Sequence, residues 1–230
     1  MLWCDKATFV QGDYALSADF KIETSKVTAV IGPSGAGKST LLGGIAGFVP
    51  QTSGRLLWKG ADITALPPQK RPASMLFQDN NLFPHLSVMQ NVALALGPRL
   101  KPSPAVREKV VEMLDCVGLN GMADRKPAAL SGGQQSRAAL ARALLQDRDI
   151  MLLDEPFSAL GPGLKTEMLD LSVSLAKAAG RTVVMVTHDP SDAARVADAI
   201  IGVLPNVAWP PLETAQFLRD PPTPFIEYLG

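Results

Sequence analysis

The chain has 230 residues, 47% of them apolar, with 22 basic and 22 acidic side chains and a formal net charge of zero. That size suits one large domain or one domain with an insertion, and with no basic tail or stripe in the sequence neither a nucleic-acid phosphate footprint nor a polybasic lipid patch is indicated. Cys4 and Cys116 are far apart, which suggests a reducing compartment, and neither a signal peptide nor an 18-residue apolar span is found, so any membrane role is expected to run through a partner.

Residues 1 to about 31 read as short strands between polar turns, with strand-like stretches near Ala7–Val10 and Phe20–Ile22. Val27–Ile31 is an apolar run that reads as a buried strand. It leads into Gly32-Pro33-Ser34-Gly35-Ala36-Gly37-Lys38-Ser39, a loop of the form GxxxxGK[ST], and then into a helix over Lys38 to about Ala46, closed by Gly47. Gly54–Gly60 alternates as a hairpin strand does, and Ala73–Phe77 is a further apolar run.

From about Gln78 to Gln146 the pattern becomes helical. Ser103 can cap a helix that has Pro104 at its first position. Val106, Val110, Met113, Leu114 and Val117 then recur at helical spacing up to Gly118. A second helix runs from about Gly133 to Leu145. Strand and helix alternate again afterwards: Ile150–Leu153, a helix from Gly163 to about Ala179, the β-branched strand Thr182–Val186, and a strand at Ile200–Leu204. This alternation predicts an α/β fold with a mainly parallel sheet covered on both faces. The Pro-rich tail from Pro205 is expected to hold short helices at most.

The glycines of the 32–39 loop let backbone N–H groups turn inward, and with the following helix N-terminus they form an anion site for phosphates. Lys38 can reach the outer phosphates, and the Ser39 hydroxyl can hold Mg²⁺. Asp154 and Glu155 end a buried strand, where α/β proteins bind ligands. Asp154 can orient Mg²⁺, and Glu155 can polarise an attacking water for in-line phosphoryl transfer. Gln78, at a strand end, can coordinate Mg²⁺ or the water, or be a plain loop residue. His188 follows the 182–186 strand and reads either as a functional group or as a packed core histidine. Leu130-Ser131-Gly132-Gly133-Gln134 makes a second anion site before a helix. One γ-phosphate hardly needs two such sites from one chain, which points to a dimer in which each chain offers one site to the other's nucleotide.

Together these motifs resemble the ATP-binding domain of ABC transporters across essentially the whole chain. Gly32–Thr40 looks like the Walker A segment, Gln78 like the Q-loop, Leu130–Gln134 like the signature, Ile150–Glu155 like Walker B and His188 like the switch histidine. The resemblance implies a P-loop NTPase core, an N-terminal antiparallel β subdomain, and a helical subdomain inserted at about 79–146. It implies a single nucleotide-binding domain over 1–230 without a C-terminal regulatory domain. It further implies ATP and Mg²⁺ as ligands, with Ser39, Gln78 and Asp154 around the metal and Glu155, His188 and Gln78 in catalysis. Ser131, Gly132, Gly133 and Gln134 would act across a head-to-tail homodimer. Transmembrane permease subunits would dock near Gln78–Leu86, with a substrate-binding protein as an indirect partner, and this chain would lie peripherally on the cytoplasmic face of the inner membrane. No nucleic-acid partner is implied.

The stretch Arg71–Val88 and the following Asn91–Leu100 run are similar to the ATPases of bacterial thiamine importers. Importers of iron, sulfate or polyamines, short-chain lipid or lipoprotein exporters, and soluble ABC ATPases are the alternatives. Three departures stand out. Gly161 occupies the place of the family's Asp after Ser158-Ala159-Leu160. Gln11 lies where the family stacks an aromatic on adenine, leaving Phe9 or Tyr14 as substitutes. Gln135-Ser136-Arg137 follows the signature without a leading basic residue.

Overall fold

The computed structural model describes residues 1–229. Strand β1 (Leu2–Gln11) pairs antiparallel with β2 (Tyr14–Ile22) through a tight turn at Gly12. Both run longer than the sequence predicts. The charged pair Asp5-Lys6 interrupts the alternation of β1, and the strand absorbs it as a bulge between Cys4 and Ala7 with Lys6 at φ 50°. Next come β3 (Val27–Ile31), buried at all five positions, and α1 (Lys38–Ala46), where eight of nine residues are buried. Gly47 at φ 84° ends α1, as predicted.

The hairpin β4 (Gln51–Trp58) and β5 (Ala61–Asp62) follows, then β6 (Ala73–Leu76). On β4, a Cβ at Gly54 would lie 2.1 Å from the Lys6 carbonyl oxygen, so the β1 bulge demands glycine opposite it. Three helices separate β6 from β7: α2 (Val88–Ala93), α3 (Pro104–Cys116) and α4 (Gly132–Leu145). Ser103 caps α3 through the Val106 N–H, as its sequence suggests. After β7 (Ile150–Asp154) come α5 (Pro162–Ala178), β8 (Thr182–Val186), α6 (Pro190–Val196) and β9 (Ala199–Leu204).

The tail corrects one expectation. Besides α7 (Thr214–Arg219) and α8 (Ile226–Leu229), it holds two short strands, β10 (Val207–Ala208) and β11 (Leu212–Glu213). Both pair with β9 and satisfy backbone groups along its otherwise open edge. Two-residue strands are too short to show alternation, so the sequence pattern misses them.

Among the described residues the strands form one sheet in the order β5-β4-β1-β2-β10-β9-β3-β8-β7-β6, with β11 also on β9. Strands β9, β3, β8, β7 and β6 are mutually parallel, while β5, β4, β1 and β2 are antiparallel. On one face, Leu41, Leu42 and Ile45 of α1 pack with Phe9, Leu16, Leu152 and Val184. On the other, buried residues of α2 to α5 are continuous with Val27, Ala29, Met151 and Leu153. Strands β3, β8, β7 and β6 are consecutive neighbours, so the loops after them open along one edge of the sheet.

Candidate functional site

The loop after β3 wraps the N-terminus of α1. Gly32 must be glycine, because a Cβ there would lie 2.0 Å from the Val203 carbonyl oxygen. Gly37 caps α1 in the left-handed region at φ 97°, with no side-chain hydrogen bond, so the helix's first N–H groups have no side-chain cap. A Cβ on Gly37 would also meet the Tyr14 hydroxyl at 2.5 Å. Tyr14 braces the loop: its hydroxyl donates to the Ala36 carbonyl at 2.7 Å and accepts from the Asn206 N–H at 3.0 Å.

Lys38 is buried and curls back, its Nζ donating to the Gly32 and Pro33 carbonyls at 2.8 and 2.9 Å. Burial lowers its ammonium below the ordinary lysine value, against the pull of Glu155 and Asp154. Thr40 donates to Gln11 Oε1 at 3.3 Å. The cleft over the loop is lined by Gln11, Tyr14, Ser34, Lys38, Ser39 and Glu155, among others.

Ser39 donates from its Oγ to Asp154 Oδ1 at 3.0 Å, across from the end of β7. Burial raises the Asp154 carboxyl above its ordinary value; the Ser39 hydrogen bond opposes this and the nearby Glu155 charge adds to it. A hydroxyl and a half-buried carboxylate side by side are hard oxygen donors suited to Mg²⁺. Glu155 stands in the left-handed region at φ 43°, a conformation that costs a non-glycine residue energy and aims its side chain off the strand end. Its Oε2 lies 3.3 Å from His188 Nδ1. The His188 side chain is 60% exposed, so the packed-core alternative for this histidine does not hold.

Gln78 lies in the turn after β6, and its neighbours in that turn are organised. Arg142 donates to the carbonyls of Asn80 and Asn81, both at 2.8 Å and both residues at positive φ. Asn91, fully buried, clamps the segment ahead of α2: its amide donates to the carbonyls of Phe83, Leu86 and Ser87, and its oxygen accepts from the Phe83 N–H. Sequence reasoning missed Asn91. The nearby Ser87–Gln90 capping box, which marks the start of α2, has the local signature S-x-x-Q.

Ser131 and Gln134 form a second capping box at the start of α4, with Gln134 N–H on Ser131 Oγ at 3.3 Å and Ser131 N–H on Gln134 Oε1 at 3.0 Å. Ser131 and Gly132 are exposed, whereas Gly133 is buried against Leu164. None of residues 130–134 lines the cleft over the cradle. Gly161 caps α5 in extended backbone, with open space where a Cβ would stand.

One expectation is overturned. Phe9 is fully buried, its ring filling the space left by Gly44 on α1, where a Cβ would come within 2.3 Å of it. It cannot offer a face to an adenine. Tyr14 is the aromatic at the cleft. Tyr228 was missed altogether: its hydroxyl, pushed to higher pKa by burial, donates to the His188 carbonyl at 3.2 Å.

Comparison with known proteins agrees with this geometry. The ABC transporter family model matches residues 16–158. The chain is 53% identical to the thiamine import ATP-binding protein ThiQ of Ruegeria sp. (strain TM1040), and 51% identical to the protein of the same name from Cereibacter sphaeroides; both matches cover 100% of each chain. Among solved structures, the ADP conformation of an ATP-binding cassette of an ABC transporter superimposes with a TM-score of 0.87 at 24% identity, over 99% of this chain and 97% of that one, and speaks to fold alone. A dimeric post-hydrolysis state of an ATP-binding cassette bound to ADP and Pi gives a TM-score of 0.79 at 30% identity, over 93% and 99%. With cradle, strand-end carboxylates and switch loop on one edge of a P-loop sheet, the chain belongs to the ABC transporter family.

Proposed function

We propose that this chain is the ATP-hydrolysing subunit of an importer that takes up thiamine or its phosphates. One observation carries the enzymatic part: the phosphate cradle, the Ser39–Asp154 pair and the Glu155–His188 pair converge at the C-terminal edge of neighbouring parallel strands. The thiamine part is supported by full-length similarity to thiamine import ATP-binding proteins.

In this reading the N–H groups of the loop Gly32, Pro33, Ser34, Gly35, Ala36, Gly37 and of Lys38, Ser39 and Thr40, proline excepted, bind the ATP phosphates at the positive end of α1. Lys38 would leave its carbonyl partners to neutralise the outer phosphates. Ser39 and Asp154, with Gln78, would hold Mg²⁺, which supplies charge neutralisation on the phosphate oxygens. Glu155 orients the attacking water and takes its proton at Oε2. His188 holds Glu155 and reaches toward the transferred phosphate. Tyr14 borders the adenine side.

Ser131, Gly132, Gly133 and Gln134 would meet the nucleotide held by a second copy, making a head-to-tail homodimer. Closure on ATP and opening after hydrolysis would be passed to permease subunits through Gln78–Leu86. Among the described residues no helix is long and apolar enough to cross a membrane; the proposed place of the chain is peripheral, on the cytoplasmic face beneath the permease subunits, with a substrate-binding protein as an indirect partner.

The test is uptake of labelled thiamine in source cells carrying Glu155→Gln, with a second vitamin as control. Selective loss of thiamine uptake is expected. Unchanged uptake with the variant protein expressed removes thiamine as cargo.

A further inference from the structure

His188 sits on a loop whose two flanking residues are tied to one cation. Lys165 lies one turn into α5, its backbone N–H donating to the Gly161 carbonyl at 2.9 Å. Its Nζ reaches Asp189 Oδ2 at 3.1 Å and Asp192 Oδ2 at 2.8 Å. The same Asp192 oxygen accepts from Thr187 Oγ1 at 2.6 Å, and Thr187 Oγ1 accepts from the Asp189 N–H at 3.1 Å. Asp189 Oδ1 is taken up by the Ser191 N–H and hydroxyl at the start of α6. Thr187 and Asp189, on either side of His188, are thus held by carboxylates that share one ammonium.

The Lys165 and Asp192 side chains are only 19% and 13% exposed, unlike the surface pair Lys59–Asp149 at 58% and 49%. A partly desolvated pair keeps its geometry where a surface pair does not. A small cavity bounded by Phe157, Leu169, Met185 and Lys165 lies behind His188, so the loop has room to shift if the anchor goes. Without the ammonium, Asp189 and Asp192 would stand as two unneutralised carboxylates in the loop that aims His188 at Glu155.

The structure assigns Lys165 as a positioning residue: it fixes the loop 187–189 from α5 and so sets the direct His188–Glu155 contact. The kinetic consequence rests on the proposed ATPase chemistry; the structural one does not. Because α5 begins directly after Gly161, the anchor also ties the turn following Glu155 to the histidine loop, and the two would move together.

The sequence holds two histidines, His85 and His188, so a full-length chain labelled with ¹⁵N-histidine gives two ring signatures, assigned with His85→Gln. Lys165→Met is expected to shift or broaden the His188 signals and leave those of His85 in place. Its kcat for ATP should fall about tenfold with KM held within about twofold, because misaiming a reacting group costs the chemical step rather than binding. Lys165→Arg, which keeps the charge and offers the two carboxylates the forked donors of a guanidinium, should restore both readouts. Unchanged His188 signals in Lys165→Met, or no rescue by arginine, overturn the assignment. Should Lys165→Met fail to fold, Asp192→Asn removes the anchor from its other end and must disturb His188 in the same way. A wild-type chain without ATPase activity would sink the proposed function while leaving the histidine spectra to judge Lys165.

Discussion

At the C-terminal edge of the parallel strands, the side chains singled out by motif are partnered within the chain: Lys38 on two carbonyls, Ser39 on Asp154, Glu155 beside His188. At the start of α4 the partners are only local and the face is open. Ser131 and Gly132 are exposed, and Ser131 spends its hydroxyl on its own helix. Both places offer N–H groups at a helix N-terminus, the physical requirement for an anion. Only the first has acid, base and metal-type donors around it. A helix end alone marks where an anion can be held, whereas chemistry needs convergent side chains from several strand ends. A half-site of the second kind makes sense as one contributed to another copy's nucleotide.

The hardest test of the first region is Glu155→Gln. The amide keeps the size and can still pair with His188, but it cannot take a proton. A positioned general base contributes about 10²–10⁴-fold, so turnover should fall by that factor while ATP binding persists. The closed dimer should then accumulate with ATP on size-exclusion chromatography. Turnover within about threefold of wild type would place the base elsewhere and undo the contrast between the two regions.

At Ser131 the structural part and the proposed functional part can be separated. Ser131→Ala removes the cap, which costs about 1 kcal/mol and lowers Tm by about 2–4 °C for a domain of this size. Ser131→Asp keeps a capping oxygen, so Tm should stay within about 1 °C of wild type. It sets a negative charge against the partner's phosphate, so hydrolysis should drop about tenfold or more. ATP affinity of the monomeric chain, measured with a fluorescent nucleotide below the dimerising concentration, should not move. A matching loss of monomer affinity would mean that Ser131 serves its own cradle.

What the sequence made legible follows the range of the signals. The cradle, the strand ahead of it and α1 were readable because the motif is contiguous and its neighbours enforce it: Gly32 against Val203 and Gly37 against Tyr14 leave no room for another residue. The caps at Ser103 and Ser131 were readable for the same reason, since a cap is decided within four residues. Phe9 misled because alternation along β1 says which residues share a face, not which face meets α1. The signal that resolves it is on the other element, the glycine at position 44 that makes space for the ring. Lys165 with Asp189 and Asp192, Tyr228 with the His188 carbonyl, and Asn206 with Tyr14 join residues 24 to 192 positions apart. No local pattern encodes such pairs; the tertiary fold brings them together.

Gly161 lies between the two regions, at the head of α5 and four residues before Lys165, and it is where this chain departs from the family's aspartate. The backbone there is extended, at φ −62° and ψ 155°, which any residue can adopt, and a Cβ at this position would have nothing within 4 Å of it. Steric need therefore does not explain the glycine. Gly161→Asp should fit without strain and give α5 the side-chain cap it lacks. Exchanging a glycine cap for aspartate, with its charge at the positive helix end, is worth about 0.5–1 kcal/mol and should raise Tm by about 1–4 °C. If the missing carboxylate limits hydrolysis across the dimer, turnover should rise about two- to fivefold as well. A higher Tm with unchanged turnover would make the glycine a matter of helix capping alone and leave coupling between the two regions to the α5–switch-loop anchor.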